Sequence, residues 1–363
     1  MVRTRRVVVA IASIAALTFA MAGCSASAAS PTAKPCVVGV SWNNYAEERW
    51  AKWDEPAIQK ALTAAGCQYI SNDAKSSADN QLANVDALLN KNVTALIILA
   101  QDGVAIKPAV TKALNAGVPV IAYDRLIEDP GAFYITFDNV LVGKMQAAAL
   151  LAVKKTGNFV VIKGNKADAN ADFLRAGMVQ AGVPDVGVQS KDGLVNVGET
   201  YTDNWDPANA QNEMAQFLTA NNNKIDIAFV ENDGMAGGVI AALKSQGLTG
   251  VPVSGQDGDA AALNRIALGT QTVDVWKDAR MLGDAAGQVA AQLSKGTKLA
   301  DVTTTKYGNA IVFDSPGKNK LNSILLKPDA ITKANLKDVL DAGWIDKATL
   351  CKDVAAGTVD VCG

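Results

Sequence analysis

One alternation narrows what this chain can become more than any other feature. From Cys36 to about Lys277, short apolar runs are each followed by a stretch with helical periodicity. Cys36–Trp42 reads as a buried strand, and Glu47–Ala65 as a helix with Trp50, Trp53, Ile58 and Leu62 on one face. Strands are then expected at Gln68–Ser71, Ala95–Ala100 and Val118–Tyr123, with helices through Leu82–Leu89 and around Ala105–Ala116 between them. Gly66 and Gly117 stand where those helices should stop. Strands regularly separated by helices imply a parallel sheet covered on both faces.

The pattern then restarts. Strands are expected at Asn158–Gly164, Leu194–Val197, Ile225–Val230, Val251–Ser254 and Thr270–Val275. Helices fill the gaps at Asp172–Ala181, Pro207–Thr219, Met235–Ser245 and Ala260–Leu268. The more than 320 residues from Cys36 onward are too many for one ordinary core. The expected fold is therefore α/β, with two doubly wound parallel-sheet lobes. The remainder after Lys277 is too short for a third lobe, so it is expected to cross back as a helix over Met281–Leu293 and then return. This predicts a three-strand hinge, an N-terminal lobe of 36–139 plus 278–308, and a C-terminal lobe of 140–277 plus 309–363.

Residues 1–23 are excluded from the fold. Arg3, Arg5 and Arg6 precede an apolar run from Val7 to Ala20, which reads as a signal peptide. Met21-Ala22-Gly23-Cys24 resembles a bacterial lipobox, so Cys24 is the expected lipidation site and 24–35 a lipid-anchored tether to the cell membrane. The competing reading is a plain signal peptide cleaved near Ala-Ser-Ala. Either reading places the mature chain outside the cytoplasm.

Of 34 basic and 36 acidic residues, three Arg fall in that leader, which leaves 31 basic residues and a formal charge of −5. No basic stripe is available to neutralise phosphates, so nucleic acid is not an expected partner. Histidine is absent altogether. Its absence removes the commonest general base and metal ligand, and disfavours histidine-dependent hydrolases and most zinc sites. Neither a metal nor a cofactor is expected.

Beside Cys24 four cysteines remain. Cys36 and Cys67 open neighbouring predicted strands, and Cys351 and Cys362 bracket a short loop. Two disulfides, Cys36–Cys67 and Cys351–Cys362, suit an oxidising compartment; four buried thiols are the alternative.

Ligands of open parallel sheets bind beyond the carboxyl ends of the strands. The first strand is followed by Asn43, Asn44 and Tyr45, with Arg49 a turn later; Asp124 and Arg125 follow Tyr123. In the second half Asn170, Trp205, Asn232, Asp257 and Lys277 take corresponding places. Such a set suits a neutral sugar. Carboxylates and amide oxygens accept its hydroxyl protons, cations and amide nitrogens donate to its oxygens, and a flat aromatic covers its C–H face. Singly, each residue has a plainer explanation as a surface ion pair or core aromatic; their shared position in both halves is the argument. Neither a dinucleotide-binding G-x-G-x-x-G nor a P-loop is present. Asp168, Asn170 and Asp172 imitate a calcium loop, but Phe173 and Val179 stand where glycine and the bidentate Glu are required.

Several stretches occur in the order of a known group: Glu48-Arg49-Trp50, Ala122–Arg125, Tyr134–Asn139, Leu174–Gly177, Leu218–Asp226, Asn232-Asp233, Ser254–Asp257 and Gly269–Thr272. On them the chain resembles the xylose-binding proteins of bacterial ABC importers, within the ribose-binding-like periplasmic binding proteins, from about Val37 to beyond Trp344. The resemblance implies a type I periplasmic binding protein fold and no catalysis. It also implies a monomer that closes on a monosaccharide and delivers it to permease subunits. Ligand roles are implied for Arg49, Asp124, Arg125, Asn170, Trp205, Asn232, Asp257 and Lys277. D-xylose is the implied sugar, with glucose or another aldose left open. Asn43 and Asn44 depart from the group, standing where xylose binders tend to carry two aspartates. Gly308–Ser323 is longer than usual, and the second cysteine pair is absent from the better-known members. A sensory carrier docking on a chemoreceptor or kinase is the alternative. An enzyme using Asp124 and Asp257 as paired carboxylates is the remoter one.

Overall fold

The computed structural model describes residues 35–363, so the expectations for the leader, for Cys24 and for nearly all of the tether fall outside it. β1 (Val37–Trp42), β2 (Gln68–Asp73), β3 (Ala95–Ile98), β4 (Val120–Tyr123) and β5 (Ala132–Phe137) pair in parallel, in the order β2-β1-β3-β4-β5. Period-2 alternation sends their side chains to two separate cores. Ile97, Ile121 and Ile135 meet Ile58, Leu62 and Val289 on one face, while Leu96, Ile98 and Val120 meet Val85, Leu88 and Val110 on the other.

A second sheet is built the same way from β6 (Gly157–Lys163), β7 (Leu194–Tyr201) and β8 (Ile227–Val230), continuing into β9 (Ser254–Gln256) and β10 (Val273–Trp276) through one parallel bridge, Ala228–Val253. Phe159, Val161 and Phe229 face Val142, Leu174 and Met178, and Val160, Ile162 and Val230 face Met214, Leu218 and Val239. The doubly wound α/β architecture is thus present in both lobes.

The tail corrects one boundary. After the helix Ala279–Ser294 come the short strands β11 (Thr303–Thr304) and β12 (Gly308–Asn309), and then β13 (Ile311–Asp314) and β14 (Lys320–Leu326). β14 pairs in parallel with β5, and β13 pairs antiparallel with β14, so 309–326 belong to the first sheet and not the second. The return crossing falls between Leu326 and β15 (Asp329–Ile331), which pairs antiparallel with β10. Leu321 and the pair Ile324 and Leu326 feed the two opposite cores of the first sheet. The apparently long stretch Gly308–Ser323 is largely this hairpin, disguised because Ile311 and Val312 at the sheet edge remain exposed. The chain also leaves β5 for the helix Asn139–Val153 at Asp138, and leaves β10 for the helix Ala279–Ser294 at Lys277–Asp278.

Parallel register places Val37 opposite Gln68, which sets Cys36 beside Cys67 with Cα atoms 4.6 Å apart, and the two form a disulfide. Cys351 and Cys362 form the other. A cross-link closing a loop of 31 residues removes denatured-state entropy corresponding to about 3–4 kcal/mol. Cys36→Ala/Cys67→Ala is therefore expected to lower the unfolding free energy by about that amount in urea titration. A loss below about 1 kcal/mol would contradict this account.

Candidate functional site

The carboxyl ends of the two sheets face each other, and the residues just beyond them meet. The turns that carry them are bent out of ordinary strand geometry. Asp124 follows β4 at φ 61°, Asp257 follows β9 at φ 100°, and Asn204 and Trp205 follow β7 at 56° and 57°. Left-handed backbone at non-glycine residues costs about 1 kcal/mol or more and marks positions held by their surroundings.

Arg49 joins the lobes. Its Nε and Nη2 donate to the two oxygens of Asp54 at 3.0 and 2.9 Å. Its Nη1 reaches Asp257 Oδ1 at 3.1 Å and Asp124 Oδ2 at 3.3 Å, one carboxylate from each lobe. Asp54 stands five residues after Arg49, a spacing that does not face in an α-helix. The chain runs as a π-helix over Trp50–Asp54, with Glu55 N–H bonded to Trp50 C=O, and this wider turn brings Asp54 back to Arg49. Tyr123 Oη also donates to Asp54. Burial, opposed by Arg49, leaves the Asp54 carboxyl raised to about 6.

Arg125 is held by Asp168, Nε to Oδ2 at 3.0 Å, and by the carbonyl of Ala100 at 3.2 Å. Burial raises the Asp168 carboxyl, with Arg125 opposing. Asn170 Nδ2 donates to the Asp124 carbonyl at 3.2 Å and receives support from Asn139 at 2.8 Å through its Oδ1. Lys277 Nζ lies 3.9 Å from Asp257. Asn232 caps the helix Asp233–Ser245, its Oδ1 accepting from Met235 N–H. The Trp205 ring lies flat against Gly164, where a Cβ would fall 2.1 Å from it, and its buried Nε1 has no partner among the described residues.

Asp124, Arg125, Asn170, Trp205, Asn232, Asp257 and Lys277 line one interlobe cavity, and Arg49 pairs with two of its carboxylates, Asp124 and Asp257. Asn44 lies in an adjoining pocket that shares Glu47, Trp205 and Asn232 with this cavity. Two expected residues are not brought in. Asn43 is fully buried, with neither amide atom partnered among the described residues, and does not line the cavity. Tyr45 is turned outward, its hydroxyl on Glu55 at 3.1 Å and its ring against Trp42, which leaves Trp205 and Trp50 as the aromatic residues lining the cavity.

Glu47, Trp50, Asp168 and Gln256 also line the cavity and were not expected there. Glu47 beside Glu48 reads as a solvated helical face, and Asp168 as a fragment of a failed calcium loop. The legible signal for Asp168 was its N-cap position, since its side chain accepts from Asn170 N–H at the start of the helix Ala169–Gln180. Asp124 and Asp257 share one guanidinium nitrogen, an arrangement for two hydroxyl acceptors rather than for a proton donor and its partner. Among the described residues no cluster of three or more His, Cys, Asp or Glu is placed to hold a metal.

Two wound lobes that present polar side chains and an aromatic face into a shared cavity define a ligand-binding protein. Residues 38–298 match the periplasmic binding protein domain. The chain is 36% identical to the D-xylose-binding periplasmic protein of Escherichia coli over 85% of its own length and 90% of that protein. It is 33% identical to the multiple sugar-binding periplasmic receptor ChvE of Rhizobium radiobacter over 87% and 92%. An ABC transporter solute binding protein from Clostridium phytofermentans with bound beta-D-glucose superposes with a TM-score of 0.75 at 26% identity, covering 86% of this chain and 99% of that one. The chain belongs to the periplasmic binding protein family.

Proposed function

We propose that this protein is an extracytoplasmic solute-binding lipoprotein of an ABC importer that captures an aldose, D-xylose or glucose, between its lobes. The observation that carries the reading is the interlobe cavity itself. Asp124 and Arg125 enter it from one lobe, Asn170, Asp257 and Lys277 from the other, and Trp205 supplies a flat wall. Hydroxyls pair with both carboxylates and cations, and such charge-assisted bonds are strong in a dry cleft. Contacts from both lobes favour the closed arrangement, so sugar shifts an open–closed equilibrium about the three crossings. Cys24 anchors the monomer to the cell membrane, and permease subunits receive the closed form.

Titration calorimetry with D-xylose and D-glucose tests this. Arg125→Ala removes a charged donor and leaves Asp168 buried and unpaired, so affinity is expected to fall at least 100-fold. Trp205→Ala removes the stacking wall and is expected to weaken binding about tenfold or more. Unchanged affinity in both variants ends the proposal. Kinship to a protein named a receptor supports a second role in sensing. Uptake by a deletion strain separates the two, since a pure sensor leaves transport intact.

A further inference from the structure

The turn after β1 departs from the xylose-binding group at Asn43 and Asn44, but neither side chain lines the cavity. Asn43 stands outside the cavity. Asn44 is spent on other protein groups, donating to Ser76 Oγ on the loop after β2 at 2.9 Å and accepting from Ala46 N–H at 2.8 Å. The acceptor that this turn presents is Glu47. It lines the cavity beside Arg125 and Asp257, and it also lines the adjoining pocket beside Asn44 and Asn204. Its Oε2 accepts from Trp50 Nε1 at 3.1 Å, while Oε1 accepts from none of the described residues. The cations around it are already engaged: Arg49 by Asp54, Arg125 by Asp168, and Lys277 near Asp257. Glu47 forms no such pair among the described residues; Arg125 acts on it without an ion-pair contact, and it borders both pockets.

We infer that Glu47 is a specificity-determining ligand residue, accepting a hydroxyl of a neutral sugar and rejecting sugars that carry a carboxylate or phosphate at that end. A hydroxyl satisfies the unpaired oxygen, whereas an anion placed there meets like charge at short range in a poorly screened cleft. Burial raises the Glu47 carboxyl, with Arg125 opposing.

The inference rests on the sugar-binding reading above, and the test separates the two. Calorimetry at pH 7 and fixed ionic strength compares D-xylose, D-glucose and D-glucuronate on the full chain, Glu47→Ala and Glu47→Gln. A charged hydrogen bond is typically worth a factor of ten to a hundred in affinity, so Glu47→Ala is expected to weaken a neutral sugar by that factor. Glu47→Gln is expected to raise glucuronate affinity relative to the neutral sugars at least tenfold, a charge ratio that a merely structural residue would not move. If Glu47→Ala does not fold, Glu47→Gln with an unchanged melting temperature decides alone. Neutral-sugar affinities within twofold of wild type, with an unchanged glucuronate ratio, overturn the inference and leave the sugar reading standing. Absence of any neutral-sugar binding by the wild-type chain overturns both.

Discussion

Arg49→Ala is expected to lower the unfolding free energy by about 3–5 kcal/mol and to abolish measurable ligand binding. The size follows from what the guanidinium neutralises. Asp54, Asp124 and Asp257 converge on it within 3.3 Å, and their side chains are 0%, 6% and 11% exposed. Deleting one partner of a buried ion pair leaves the other charge desolvated, which is the costly half of such an arrangement. Little solvent reaches these groups to screen the loss. Urea unfolding followed by tryptophan fluorescence measures it, and a loss under about 1 kcal/mol would contradict the account. Arg49→Lys is expected to recover only part, because one ammonium cannot bond both Asp54 oxygens and still reach across to Asp257. Arg49→Met combined with Asp54→Leu removes both members of the buried pair. It is expected to regain stability relative to Arg49→Ala without regaining binding, which separates the structural role from the ligand role.

Asp274→Asn is expected to flatten the pH dependence of stability between about pH 4 and pH 8. Asp233 and Asp274 lie buried behind the loop that carries Asp257, and both accept from Gly258 N–H at 3.1 Å. Asp233 also accepts from Asp259 N–H at 3.0 Å and from Gln271 at 2.9 Å. Burial raises both carboxyls, Asp274 to about 8, and the two groups share one site. Arg265 faces Asp233 but donates to its backbone carbonyl, while Asp257 and Asp259 add further negative charge. An acid whose folded pKa lies above its unfolded value contributes stability fully present below the unfolded value, near 3.8, and lost as pH rises toward the folded one. Each pH unit across that window costs up to about 1.4 kcal/mol. Asparagine mimics the neutral acid, so the variant is expected to gain stability relative to wild type as pH rises, with a plateau above about pH 8. Parallel melting curves of the two proteins across the window would refute this. Because Asp257 sits on the same loop, wild-type sugar affinity is expected to decline above pH 8 more than that of the variant.

Local pattern carried the strand–helix alternation a long way. Buried strands such as Ala95–Ile98 announce themselves as apolar runs because both faces of a parallel sheet are covered. Helix stops at Gly66 and Gly117 were equally readable, since a residue at φ 74° favours glycine. β5 does not stand out as a strand in the sequence, because the eight residues between it and β4 leave no room for the usual helix. The β13–β14 hairpin was hidden for another reason. Its inner strand draws its burial from β5, nearly two hundred residues earlier, and no local period reports such a partner. The same limit applied to Tyr45 and Glu47, two residues apart in one turn, where one is directed outward and the other inward.

The positions after the strands were therefore enough to assemble Asp124, Arg125, Asn170, Trp205, Asn232, Asp257 and Lys277, because the carboxyl ends of parallel strands must lie on one edge of each sheet. Which polar groups are spent on each other and which are left for a ligand depended on packing between segments far apart in the chain. Arg49 is aimed by Asp54 through a π-turn, Asn44 is consumed by Ser76, and the Asp257 loop hangs on two buried carboxyls. Periodicity is a property of neighbours along the backbone, whereas the partner of a buried charge is chosen by desolvation, and desolvation depends on everything that closes over it.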